Sequence, residues 1–145
     1  MERKQDGGIQ TPEILREELP MQRFEGQKTN QAVVEGEVAL PGGLREETRV
    51  LCSEAMAVLE QTDVQPGRVD AEGKVTFHVL YTQGDPTLVS ALEASAEFTH
   101  SVDFPGAEDG MAAVLSLSVE HVEASAQGGR LHLMAILKAQ TRLFS

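Results

Sequence analysis

Apolar and polar residues alternate along most of this chain, in short runs that end at turn-forming residues. The clearest run is GKVTFHVLYT, in which Val75, Phe77, Val79 and Tyr81 fall on one face of an extended strand. Similar runs lie at residues 32–38, 88–98, 113–119 and 131–143. Glycine and proline turns between short alternating runs are typical of β-sandwiches. The pattern therefore predicts an all-β fold, a sandwich of about six or seven mostly antiparallel strands that occupies residues 31–145.

Two stretches need a closer reading. In the run after the turn at residues 83–86, Leu88 has even spacing with Leu92 and Phe98, which places it on their face. Segment 44–62 suits two structures, because its Ala, Glu and Leu content favours a helix while its pattern also fits a strand. As a strand, it puts a set of four residues on one side. These are Val50, Cys52, Met56 and Val58.

Residues 1–30 differ from the rest and predict an N-terminal arm. They hold six acidic and five basic residues, whereas the remainder of the chain holds seventeen and seven. Thr11 and Pro12 resemble a helix start, and Pro20 would end that helix after about two turns. The arm either docks on its own domain or engages a neighbouring molecule. The candidate self-association contacts are its apolar residues Leu15, Leu19, Met21 and Phe24.

Composition excludes several classes of function. The 145 residues carry a formal charge of −11, and nucleic acids and anionic membranes both require clustered positive charge. Aromatic residues are scarce, with five Phe, one Tyr and no Trp, which argues against base stacking and a glycan-binding face. No apolar run reaches the eighteen or so residues of a membrane span, and the N-terminus lacks the apolar core of a signal peptide. We expect a non-membrane domain that binds no nucleic acid.

No motif in the chain predicts an enzyme, a metal site or a cofactor. The four histidines lack metal-ligand spacing, and the best fragment is His100 with Asp103 beside a turn. The glycine pairs have no phosphate-binding motif around them. Cys52 is the single cysteine, and without a base and an orienting group it is no nucleophile. It is either a small buried hydrophobic residue or a partner in an intermolecular disulfide.

The order of these segments resembles the SPOCS domain family of spore-coat assembly proteins, of the SipL type, over roughly residues 30–144. The resemblance runs through VVEGEVALPGG, RVLCSEAMAVLEQTDV, RVDAEGKVTFHVLYTQGD, LEASAEFTHSVDFPGAEDGM, LSVEHVEA and RLHLMAILKAQTRLF. The matching landmarks are Glu72-Gly73, Leu80-Tyr81, Phe98, Pro105-Gly106 and Gly110-Met111. Relatives often add a proline-rich segment, repeated copies or a peptidoglycan-binding LysM module, and none of these is present here.

The resemblance implies a β-rich module of spore-forming bacteria that is used in protein–protein assembly. We therefore expect a structural protein of the spore surface layers, made in the mother-cell cytoplasm, that forms a homo-oligomer or polymer or binds other coat proteins. It implies no catalytic residue. The alternative is a soluble binding module for a small ligand or glycan. The resemblance also decides the ambiguous segment in favour of a strand from about Val50 to Thr62.

Overall fold

A computed structural model describes residues 22–40, 47–127 and 130–145, and these residues form six strands in two three-stranded sheets. The strands are β1 (Phe24–Val38), β2 (Thr48–Gln65), β3 (Arg68–Gln83), β4 (Ser90–Asp103), β5 (Ala112–Gln127) and β6 (Arg130–Phe144). Sheet I has the order β1-β6-β5 and sheet II the order β2-β3-β4, and every pairing is antiparallel. The predicted all-β sandwich is confirmed.

Each sheet turns one face toward the other, and the two-residue period of the strands decides which side chains are buried. The largest cluster of buried residues joins β3 to β6 through side chains such as Phe77, Val79, Leu133 and Leu137. Burying such side chains is the main favourable contribution to folding. A second cluster, around Val69, Phe104 and Leu143, closes one end of the sandwich.

The ambiguous segment is a strand, as predicted, and β2 extends it at both ends. Its inner side presents Ala55, Ala57 and Leu59 to the core, which a continuous helix could not do while pairing with β3. Two bulges interrupt the pairing, one between Val50 and Cys52 and one between Leu59 and Gln61. An extra residue at a bulge moves the following side chains to the opposite face.

The first bulge corrects the prediction that Val50 and Cys52 share a side. Val50 packs against the core and Cys52 is exposed, so Cys52 is not the buried hydrophobic residue that was one of its two interpretations. The prediction for Leu88 is also wrong. It lies before β4 rather than in it and is 67% exposed.

The predicted arm overlaps the fold at its C-terminal end. Residues 24–30 lie in β1, where Phe24 pairs with Phe144 at the end of β6. Backbone hydrogen bonds in both directions between Arg23 and Ser145 continue this pairing, with N–O distances of 3.0 and 2.9 Å. Residues 1–21, including the predicted helix start at Thr11, lie outside the described residues, and their role as an arm stays a prediction.

Two reference points define the ends of the sandwich. The turn end contains the Pro66-Gly67 turn between β2 and β3, and the loop end contains residues 84–89 between β3 and β4. Phe104 donates its amide hydrogen to the Gly67 carbonyl at 2.9 Å, and its ring lies beside Gly26 of β1. The N-terminal end of β1, with Phe24, therefore lies at the turn end.

Candidate functional site on the outer face of sheet II

The two sheets carry very different charge. In sheet II and its loops, residues 48–103, there are nine acidic and three basic residues, a formal balance of −6 with neutral histidines. In the strands and hairpin of sheet I, residues 24–38 and 112–144, there are five acidic and four basic residues, a balance of −1. Sheet II therefore presents the more acidic surface of the described chain.

An exposed apolar cluster lies at the loop end of this acidic sheet, on its outer face. Cys52 of β2, Leu80 of β3 and Ala91 of β4 lie side by side in the register of the sheet, and all three are exposed. Three more exposed apolar residues lie close to members of this row in the chain. These are Leu51 (50% exposed), Leu88 and Val89 (55%). We call these six residues the sheet II patch. Exposed apolar residues gathered at one end of a sheet are typical of contact sites on proteins.

The loop that carries Leu88 and Val89 is held by local hydrogen bonds. The Thr87 hydroxyl and amide both donate to Asp85 Oδ1, at 2.7 and 2.9 Å, and these bonds lower the pKa of Asp85 below its ordinary value of 3.8. The Leu88 amide donates to the Asp85 carbonyl at 3.1 Å. An Asp side chain that accepts hydrogen bonds two residues on is a common way to fix a turn. The loop thereby presents its apolar residues in a defined conformation.

Of the four predicted self-association residues, the structure describes only Phe24. Leu15, Leu19 and Met21 lie outside the described residues. The Phe24 side chain is 56% exposed, and its ring contacts the Phe144 ring edge to face at a centroid distance of 5.7 Å. Phe24 is therefore an exposed aromatic residue at the start of β1, shortly after residues 1–21 in the chain.

Cys52 is accessible for the predicted intermolecular disulfide. Its Sγ lies 4.0 Å from Glu54 Oε2 on the same face of β2. Exposure is a requirement for such a bond and does not demonstrate it, so the disulfide stays a prediction.

The histidines do not converge. His78, His121 and His132 lie on outer faces next to carboxylates, and the shortest contact is 2.8 Å between His121 Nε2 and Glu123 Oε2. Within the described ranges, no group of three or more His, Cys, Asp or Glu side chains could hold a metal ion. His100 points toward the interior. Asp103 lies opposite Arg68 in the strand register, on the outer side of the sheet. The pair suggested by the sequence is therefore not a site.

His100 Nε2 is buried without a hydrogen-bond partner among the described residues, and desolvation lowers the pKa of His100 below its ordinary value of 6.5. As the pH falls below 6.5, the unfolded chain binds the proton more readily than the folded chain, so stability decreases until the folded-state pKa is passed. We expect His100→Gln to reduce this acid-side loss of thermal stability between pH 8 and 5. The exposed His78→Gln is the control, and an unchanged wild-type slope in His100→Gln would contradict the assignment.

A groove of about 480 Å³ lies on the outer face of sheet I. Its lining includes Glu35, Glu37 and Glu123, together with His132 and Met134, and contains no phenylalanine or tyrosine. Glu37 is already engaged by Arg130, at 3.1 Å, and by His132, at 3.4 Å. A glycan site usually offers an aromatic face, and a small-molecule site is usually apolar with few polar groups. The groove has neither an aromatic face nor a mainly apolar lining.

Comparison with known proteins supplies the family. The model of the SipL SPOCS domain matches residues 48–127, which is 80 of 145 residues and runs from the start of β2 to the end of β5. The chain belongs to the SipL SPOCS domain family. Searches of the curated proteins and of the solved structures found no match. Membership places this SPOCS domain in the context of sporulation, and the family is not known as an enzyme family. The described part of the chain contains no helix that could cross a membrane.

The sheet II patch of this SPOCS domain was not predicted from the sequence. In the alternation of residues 73–82, Leu80 falls on the face opposite Phe77 and Val79, and the pattern places Leu88 on the same face as Leu92 and Phe98. Cys52 joins them because the first bulge of β2 places it on the exposed side of the strand, next to Leu51. The one available signal was Leu80, an apolar residue on a face otherwise occupied by Thr76, His78 and Thr82.

Proposed function

We propose that this SPOCS domain is a non-enzymatic structural protein that assembles at the surface of the bacterial endospore, by self-association through its N-terminal arm or by binding coat proteins. The observation that carries the proposal is the sheet II patch on a member of a sporulation family. A patch of exposed apolar residues on an acidic sheet supports a protein partner better than a small ligand, because the surface there is a face and not an enclosed cavity.

Charge sets the conditions for such assembly. Chains with a formal charge of −11 repel one another at low ionic strength. Salt shortens the range of this repulsion to about 10 Å at 0.1 M. Apolar contacts are not weakened in the same way, so self-association should strengthen from low to moderate salt.

Removal of residues 1–21 tests the arm. We expect the full chain to form oligomers or filaments at moderate salt and the chain beginning at Gln22 to remain monomeric, because Leu15, Leu19 and Met21 are lost while β1 is kept whole. Sedimentation velocity at low and moderate salt, with negative-stain electron microscopy, makes the comparison.

A matched pair of full-length variants separates apolar contact from chain length. Leu15→Ser/Leu19→Ser/Met21→Ser should behave like the truncated chain, whereas Gln5→Ser/Gln10→Ser should assemble like the wild type. If the full and truncated chains are both monomeric, or assemble equally, the arm is not the connector.

A further inference from the structure

The N-terminal end of β1 and the sheet II patch lie at opposite ends of the sandwich. Phe24 lies at the turn end, beside the contacts of Phe104 with Gly67 and Gly26. Leu80 lies at the loop end, twelve residues along β3 from Arg68. At a strand rise of about 3.3 Å per residue, these ends are roughly 40 Å apart.

This distance decides which copy of the arm can occupy the patch. Leu15 precedes Phe24 by nine residues, so even a fully extended chain carries it no more than about 32 Å from Phe24. Leu19 and Met21 reach still less far. The apolar residues of the arm therefore cannot reach the patch of their own molecule, but the patch of a molecule placed in line beyond the turn end is within their range.

We infer that residues 14–21 of one molecule dock on the sheet II patch of the next molecule, head to tail along the strand direction. The inference rests on the proposed function and deepens it by naming both halves of the contact. The donor segment supplies Leu15, Leu19 and Met21, and the acceptor supplies Leu80 with the side chains around it. Donor and acceptor are different surfaces, so the contact is heterologous and repeats into a ring or an open filament.

Native Cys52 makes this contact directly testable, because it is exposed within the patch and is the single cysteine of the chain. One protein carries Leu15→Cys with Cys52→Ser, so that its only thiol is in the arm. The second is the wild type with a size tag, whose only thiol is in the patch. After mixing at moderate salt and mild oxidation, non-reducing electrophoresis should show a mixed disulfide dimer as the main product.

The control moves the acceptor thiol to the other sheet. Ser118 is exposed on the outer face of β5, so a tagged Ser118→Cys/Cys52→Ser protein offers an equally accessible thiol outside the patch. When this protein is mixed with the Leu15→Cys/Cys52→Ser protein, the mixed disulfide dimer should be lost. Thermal unfolding of each variant verifies that the sandwich is intact.

The outcomes separate this inference from the function on which it rests. Mixed dimers that form equally with Ser118→Cys, or arm–arm dimers in place of mixed ones, overturn the inference even if the chain assembles. An intrachain disulfide in a chain carrying Leu15→Cys with native Cys52 also overturns it. A chain that sediments as a monomer at every salt concentration overturns self-association itself, and the docking contact with it.

Discussion

Leu137→Ala should lower the free energy of unfolding by about 2–5 kcal/mol, the range seen when a large core side chain is removed. Leu137 is fully buried in the middle of β6, the central strand of sheet I, with Ala32 and Val119 as its partners in the register. Its neighbours are held by paired strands on both sides, so they cannot fill the space that the leucine leaves. Equilibrium denaturation in urea measures the change, and an unchanged slope against denaturant shows that it reflects stability.

Leu80→Ala is the matched control, since it makes the same chemical change on the outer face, where Leu80 is 42% exposed. Surface substitutions of this kind usually alter stability by less than about 0.5 kcal/mol. The proposed docking contact predicts the reverse order for assembly, so Leu80→Ala should weaken self-association at moderate salt while it leaves the fold intact. Equal losses of stability in the two variants would contradict the assignment of Leu80 to the outer surface.

Among the described glycines, Gly73 should be the one whose replacement by alanine is most damaging, with a loss of roughly 3 kcal/mol, at the upper end of the usual cost of overpacking. Gly73 lies in β3 opposite the second bulge of β2. A Cβ atom there would lie 2.5 Å from the Val58 carbonyl oxygen and 2.9 Å from the Phe98 ring. The ring could move, but the carbonyl belongs to the backbone of a paired strand, so the strand itself would have to shift.

Gly36→Ala makes the same change where there is room. A Cβ atom at Gly36 would lie 3.7 Å from the Ala96 Cβ, which is ordinary van der Waals contact between β1 and β4. Because alanine loses less conformational entropy on folding than glycine, stability should stay the same or rise by about 0.5 kcal/mol. Thermal unfolding of both variants under one buffer gives the comparison. Similar melting temperatures for the two would show that Gly73 is not held by its neighbours.

The strands themselves were predictable, because the two-residue period is a local property that each segment carries in its own sequence. Val75, Phe77 and Val79 face the core as the pattern of residues 73–82 predicts, and the same holds for Leu131, Leu133 and Leu137 of β6. The segment around Met56 needed more than this period, since its helix propensity competed with its alternation, and the family resemblance decided between them.

Only the tertiary structure decided which strands pair and which side of the sheet each irregular residue occupies. The pairing of Phe24 with Phe144 joins the two ends of the described chain, and no local pattern encodes a partner that far away. The bulge after Val50 reverses the facing of Cys52, and the sheet register then brings Cys52 beside Leu80 and Ala91. The alternation alone therefore determined a β-sandwich with a defined core, while its candidate contact surface depended on register and bulges, because one inserted residue exchanges the inner and outer faces of a strand.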